Sequence, residues 1–179
     1  MSLMTSNEEW MEAFKNGNVE AFENLYSHLY EPLYCFLFRY TREEQLSIDI
    51  VQDTFERLQY VKDDFDHRKG TVKAFLFQIA YRLMINKLNR RKKWRTLLPF
   101  LTPIPSYRLS SDEKLTVQQA ILKLPDKQRA VILLAYYHDL PQDDIAMILS
   151  IPTGTVKSRL LSAMKSLKEE LKEDFDAKG

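Results

Sequence analysis

Apolar residues recur along this chain at intervals of three and four for most of its length, and strand-like alternating runs are few, so the pattern predicts helices almost throughout. The first stripe is short. Ser6, Asn7, Glu8 and Glu9 have the spacing of a capping box, Trp10, Met11, Ala13 and Phe14 follow, and Gly17 ends the helix. Asn18 caps a second helix whose stripe runs through Phe22, Leu25, Tyr26, Leu29, Leu33, Phe36 and Leu37 to about Tyr40, with Pro32 as a kink site. A third, over residues 43–61, is expected to bury Leu46, Ile50, Val51, Thr54, Phe55 and Leu58. After a polar loop, Thr71 caps a fourth over residues 72–94. Val72, Phe75, Leu76, Ile79, Ala80, Leu83 and Leu88 face inward there, while Lys73, Gln78, Arg82, Asn89, Arg90 and Lys93 are among the outward positions.

The helical pattern then stops. Residues 96–111 hold Pro99, Pro103 and Pro105, which no continuous helix accepts, and are expected to form an extended linker between a domain at 1–95 and another at 112–179. Helical periodicity resumes at 112–124 and 128–138, then in a pair spanning 140–167 that reads as a helix-turn-helix. Ile145, Ile148 and Leu149 form the apolar side of its first helix, Ala146 permits a close crossing, and Ile151-Pro152 makes the turn. Ser150 stands where many such turns carry glycine. In the second helix Val156, Leu160, Ala163 and Leu167 face the core, leaving Thr155, Lys157, Ser158, Leu161, Ser162 and Lys165 outward and Arg159 at the border. No acid occurs from residue 146 to 167, so nothing in this unit repels phosphate. The shape fits a DNA major groove. An ordinary helical hairpin shares the periodicity, so the rest of the chain has to decide. The expected fold class is all-α: two small helical domains joined by a flexible proline-containing linker, the second carrying the helix-turn-helix.

At 179 residues, 45% hydrophobic and 28% charged, with four glycines, the composition is that of a globular helical chain. The net charge of +1 conceals a segregation of sign. Residues 43–66 contain eight acids against Arg57 and Lys62 alone, whereas residues 67–111 contain no acid and eleven Lys or Arg, from Arg68 to Arg108. Two unlike binding surfaces are implied. The lone Cys35, between Tyr34 and Phe36, reads as a buried thiol in a reducing compartment. Without a signal pattern or a bilayer-length apolar run, a soluble cytoplasmic protein with no membrane insertion is expected. His28, His67 and His138 are isolated, and there is no metal-ligand spacing, glycine-rich phosphate loop or nucleophile-base set. The expectation is therefore no catalytic residue, no metal and no cofactor.

Four segments, in order, resemble the small extracytoplasmic-function sigma factors of bacterial RNA polymerase, in the sigma-70 family. Residues 18–40, with Ala21-Phe22 and Leu25-Tyr26, resemble the start of region two, and residues 49–55 (DIVQDTF) its acidic polymerase-docking segment. Residues 70–80 (GTVKAFLFQIA), followed by Leu88-Asn89-Arg90-Arg91, resemble the promoter-melting and minus-ten segment. Residues 124–129 (LPDKQR) and 152–160 (PTGTVKSRL) resemble region four, which binds the minus-35 element. The resemblance implies partners: core RNA polymerase through its β and β′ subunits, promoter DNA, and an anti-sigma factor as a third. It implies that Asp49, Gln52, Asp53 and Glu56 engage the coiled-coil clamp of the largest subunit. Phe65, Asp66, His67, Arg68, Lys69 and Gly70 would line a pocket for the nontemplate strand, with Lys73, Gln78, Arg82, Asn86 and Arg90 beside it. Lys157, Ser158, Leu161 and Ser162 would meet bases, and Thr155, Arg159 and Lys165 phosphates or the turn. The chain departs from the family pattern at Ile48, Arg82, Asn86, Leu161 and Ser162. The rival classes are a two-domain regulator, which needs a ligand or phosphorylation domain absent from residues 1–95, and a helical adaptor, which gives no reason for the segregated charge.

Overall fold

In the computed structural model, residues 6–98 and 116–176 are described, with side chains as far as residue 172. Pro99, Pro103, Pro105 and Arg108, the start predicted at 112 and the acidic tail side chains from Glu173 onward lie outside the described residues. Those described form helices and no strand.

Side-chain caps start three of the four α-helices described in the N-terminal half. Ser6 and Glu9 close a reciprocal capping box on α1 (Asn7–Lys15). The Asn18 side chain accepts from the Ala21 amide to open α2 (Val19–Thr41), which runs through Pro32 and ends at Arg42 in the left-handed conformation, φ 59°. Helix α3 (Glu44–Val61) buries all six predicted positions and adds Ser47, whose hydroxyl donates to the Glu43 carbonyl at 2.7 Å. A 3-10 turn (Lys62–Asp64) and a short loop follow, and Thr71 caps α4 (Val72–Leu97). This helix outlasts the prediction by three residues. Nothing in residues 95–97 breaks it, Thr96 bonds back to the Lys92 carbonyl at 3.0 Å, and the first obstacle in the chain is Pro99.

In the C-terminal half, Thr116 and Gln119 cap α5 (Val117–Lys123), and Pro125 precedes α6 (Asp126–Ile132). The helix predicted at 128–138 is in fact α6 running into a π-helical turn (Leu133–Tyr137), after which His138 leaves the axis and Asp139 turns left-handed, φ 49°. Helix α7 (Gln142–Leu149) ends at Ser150, also left-handed, φ 53°, and α8 (Thr153–Asp176) follows.

Each half packs its own stripes. Leu25, Leu33, Phe36, Ile50, Leu58 and Leu76 fill the first core, and Val131, Leu134, Ile145, Ile148, Val156 and Ala163 the second, at about 1.5–3 kcal/mol per large side chain. The two cores are continuous, because α7 lies against α4 and the π turn against α2. This explains a correction to the predicted face of α4. Phe77 and Met84 are fully buried, while Leu83 and Leu88 are only half-buried, since neighbours cover the helix on two sides and not one. Tyr26 is 37% exposed and not core, and Cys35 is half-buried on the wall of a cleft and not enclosed.

Candidate nucleic-acid and polymerase interfaces

On α3, the inward positions Ile50, Val51, Thr54, Phe55 and Leu58 turn Asp49, Gln52, Asp53 and Glu56 outward along successive turns. Gln52 and Glu56 are exposed. Asp49 accepts from Gln45 Nε2 at 2.9 Å, and Asp53 pairs with Lys87 of α4 at 2.9 Å. The row is a line of acceptors held on a rigid support, and its ion pair is half in water, where such pairs contribute little.

The loop between the 3-10 turn and α4 has a built geometry. Arg68 grips the Asp66 carboxylate through Nε and a terminal guanidinium nitrogen, both at 3.0 Å, and its own amide donates to the same group at 3.0 Å. The guanidinium bond, then the amide bond, pull the Asp66 pKa down to about 2. His67 and Lys69 are exposed. Phe65 corrects the expectation of an aromatic lining the pocket. Its ring is buried against Phe75, centroids 5.5 Å apart, and Lys15 donates to its carbonyl at 2.7 Å, so the side chain anchors the loop from below.

Helix α4 presents its polar positions to two different neighbours. Arg90 and Asn86 are exposed, and Arg91 is tied to Glu43 at 2.6 Å. Toward its N-terminus the cationic and amide side chains meet the other half of the chain. Lys73 Nζ donates to the His138 carbonyl at 3.2 Å, Gln78 Nε2 to the Met147 carbonyl at 2.7 Å, and Arg82 to Ser150 Oγ at 3.2 Å. Thr71 donates to Asp144 at 3.2 Å, and a methyl at Gly70 would sit 2.5 Å from Met147 Sδ.

In the helix-turn-helix, Ile151 N–H reaches back to the Ala146 carbonyl at 3.0 Å and Thr153 Oγ1 donates to Asp143 at 3.1 Å, which fixes the angle between α7 and α8. Val156 and Ala163 are fully buried, and Lys157, Ser158, Leu161, Ser162 and Lys165 form the opposite, exposed face; Leu161 is 74% exposed. Thr155 and Arg159 are half-buried. The Ser158 hydroxyl already donates to the Thr155 carbonyl at 3.1 Å, leaving its lone pairs outward.

Known proteins resemble this chain in sequence and in fold. Residues 25–95 match the description Sigma-70 region 2, and residues 114–167 match Sigma-70, region 4. The ECF RNA polymerase sigma factor SigW of Bacillus subtilis (strain 168) is 30% identical over 176 residues, covering 89% of this chain and 93% of its own. The chain belongs to the ECF RNA polymerase sigma factors. It is thus an initiation factor that binds core RNA polymerase and directs transcription from specific promoters. Two solved structures share the fold: CnrH in complex with the cytosolic domain of CnrY, and the sigma factor RpoE in complex with the anti-sigma factor NepR from Bartonella quintana. The first has a TM-score of 0.71, 24% identity, and covers 94% of this chain and 98% of its own. The second has a TM-score of 0.67, 24% identity, and covers 86% and 98%. Among the described residues, no helix is long and apolar enough to cross a membrane.

Several residues that shape this sigma factor's interfaces carry no sequence signal. Tyr40 and Tyr81 lie between the halves, and burial raises both phenol pKa values above the ordinary value. His138 is 8% exposed, its Nε2 has no hydrogen-bond partner, and burial followed by Lys73 and Arg39 lowers its pKa to about 4. Only the fold brings these groups together, since their neighbours lie on helices distant in sequence.

Proposed function

We propose that this sigma factor grips a promoter at two sites from one polymerase-bound scaffold, in the cytoplasm where the polymerase works. The α3 row of Asp49, Gln52, Asp53 and Glu56 docks on a basic coiled coil of the β′ subunit, and opposite charge sets the speed and orientation of encounter. The Asp66–Arg68 loop, Lys69, Lys73, Gln78, Arg82, Asn86 and Arg90 hold the separated nontemplate strand at the minus-ten element. The exposed face of α8 enters the major groove at minus-35, with Lys157 offering donors and Ser158 its lone pairs to base edges, while Arg159, Thr155 and Lys165 hold phosphate or the turn. The division of labour follows the two halves of the chain.

The observation that carries this reading is the face of α8: five outward residues without an acid, over a seam of Val156, Ala163 and Leu167, directly after a turn braced by α7. Two of the solved relatives are complexes with a second protein, one of them named an anti-sigma factor, and an inhibitor of that kind is the third partner proposed here. The experiment is transcription by core polymerase with this chain on its own promoters, each carrying single-base changes in the upstream element. Wild type should discriminate among them. Lys157→Ala should lose roughly tenfold of that discrimination while binding core polymerase normally. Equal loss of both, or intact discrimination, would remove α8 as the reading helix.

A further inference from the structure

At the end of the π turn the imidazole of His138 fills the seam between the halves. It meets the ring of Phe36 on α2 at 5.9 Å and that of Phe77 on α4 at 5.2 Å between centroids. The charged groups about it are predominantly cations at close range. From α2 comes Arg39, its guanidinium 4.4 Å from the Tyr137 ring, and from α4 comes Lys73, bonded to the carbonyl of His138 itself. Glu31 of α2 and Asp139 of its own loop line the adjoining cleft, as do His28 and Cys35, yet neither carboxylate bonds to the buried Nε2. An imidazolium in this seam would be stripped of water beside two cations, and the aromatic rings would offset only part of that cost. The ring lines that cleft as well and is 8% exposed, but its Nε2 is enclosed, and a charged ring regains its full hydration only if the C-terminal half moves away from α2 and α4.

We infer that His138 is a proton-sensitive latch on the closed arrangement: as a neutral ring it lets the C-terminal half sit on the Lys73–Gln78–Arg82 face of α4, and on protonation it drives that half off. The sign follows from the lowered pKa of about 4 in the closed form. Open to water, the ring returns toward the ordinary value of about 6.5. The advantage of the closed form is therefore complete above about pH 6.5 and declines as pH falls toward 4. At about pH 5.5 the closed-to-open ratio drops about tenfold from its neutral value. That the uncovered face serves the minus-ten strand rests on the function proposed above; the latch itself does not.

The test uses the full chain without DNA: small-angle X-ray scattering from about pH 7.5 to about pH 4.5, with far-ultraviolet circular dichroism alongside. The radius of gyration of the wild type should rise reversibly below about pH 6.5 at constant helical signal, while His138→Gln should show no pH dependence in that window. The His138 ring resonance of the closed wild type should titrate well below about 6.5. A wild-type radius constant across the range, a His138→Gln chain that expands in step with wild type, or a His138 ring titrating at about 6.5 in the closed chain would each overturn the latch. Should His138→Gln already be open at neutral pH, the wild-type ring and radius still decide. Failure here leaves the promoter assignment standing, and failure of the transcription experiment leaves the latch standing.

Discussion

Asp66 and Arg68 show how a charged residue in a proposed DNA-binding loop can be held in reserve. The carboxylate takes both guanidinium bonds and a backbone amide, so the cation of Arg68 is largely neutralised locally although its side chain is 79% exposed. A depressed carboxylate pKa means that the clamp is intact above the ordinary aspartate value and is lost only as pH falls toward about 2, so the loop keeps its shape across the physiological range. Removing the carboxylate should free the cation. Asp66→Ala is expected to bind single-stranded DNA more tightly and to steepen the logarithmic salt dependence by about 0.7, the value of one more phosphate contact on a single strand. A salt titration of oligonucleotide affinity checks this; an unchanged slope would show that Arg68 stays off the backbone even when released.

At the scale of elements, α3 and α4 carry opposite charge on adjoining helices and partly consume it in each other. Asp53 with Lys87 and Glu43 with Arg91 are exposed or half-exposed pairs, worth at most about 1 kcal/mol each. Replacing Asp49 and Asp53 by alanine should therefore weaken core-polymerase binding severalfold while moving the melting temperature little; unaltered affinity in a fluorescence titration would remove the docking assignment. The same pairing separates two neighbouring arginines that look alike in the sequence. Arg90 is free and Arg91 is bonded to Glu43, so Arg90→Ala should reduce the salt slope of DNA engagement by about 0.7, and Arg91→Ala by clearly less. Helix identity and the α3 core were legible because each buried residue recurs at the helical period. Phe65 was not: an aromatic in a basic loop looks like a stacking platform, and only the position of Phe75 turns it inward. Nor did Ser150 reveal its left-handed backbone, beyond standing where glycine is usual.

For the whole molecule, periodicity stated which faces are buried but not what buries them. Phe77, Tyr81 and His138 owe their burial or chemistry in part to contact between halves more than fifty residues apart, and the bond between Gln78 and Met147 is another such contact. The closed arrangement has a direct consequence for function, because the residues proposed to hold the minus-ten strand are in part those on which the C-terminal half rests. Gly70 faces Met147 across that seam. A methyl there would lie 2.5 Å from Met147 Sδ, and since that sulfur belongs to a flexible side chain, Gly70→Ala should be accommodated by a shift of Met147. Gly70→Val adds bulk that a side-chain shift does not clear, and overpacking of this kind costs about 1–3 kcal/mol. Because the strain exists only while the halves are together, it should raise the open fraction by roughly fivefold to a hundredfold and speed association with core polymerase by a comparable factor when the closed form dominates. Stopped-flow binding of core polymerase to the wild type and both variants is the measurement. The order valine, then alanine, then wild type in association rate is expected, whereas equal rates at equal helical content would show that polymerase meets the closed chain as readily as the open one.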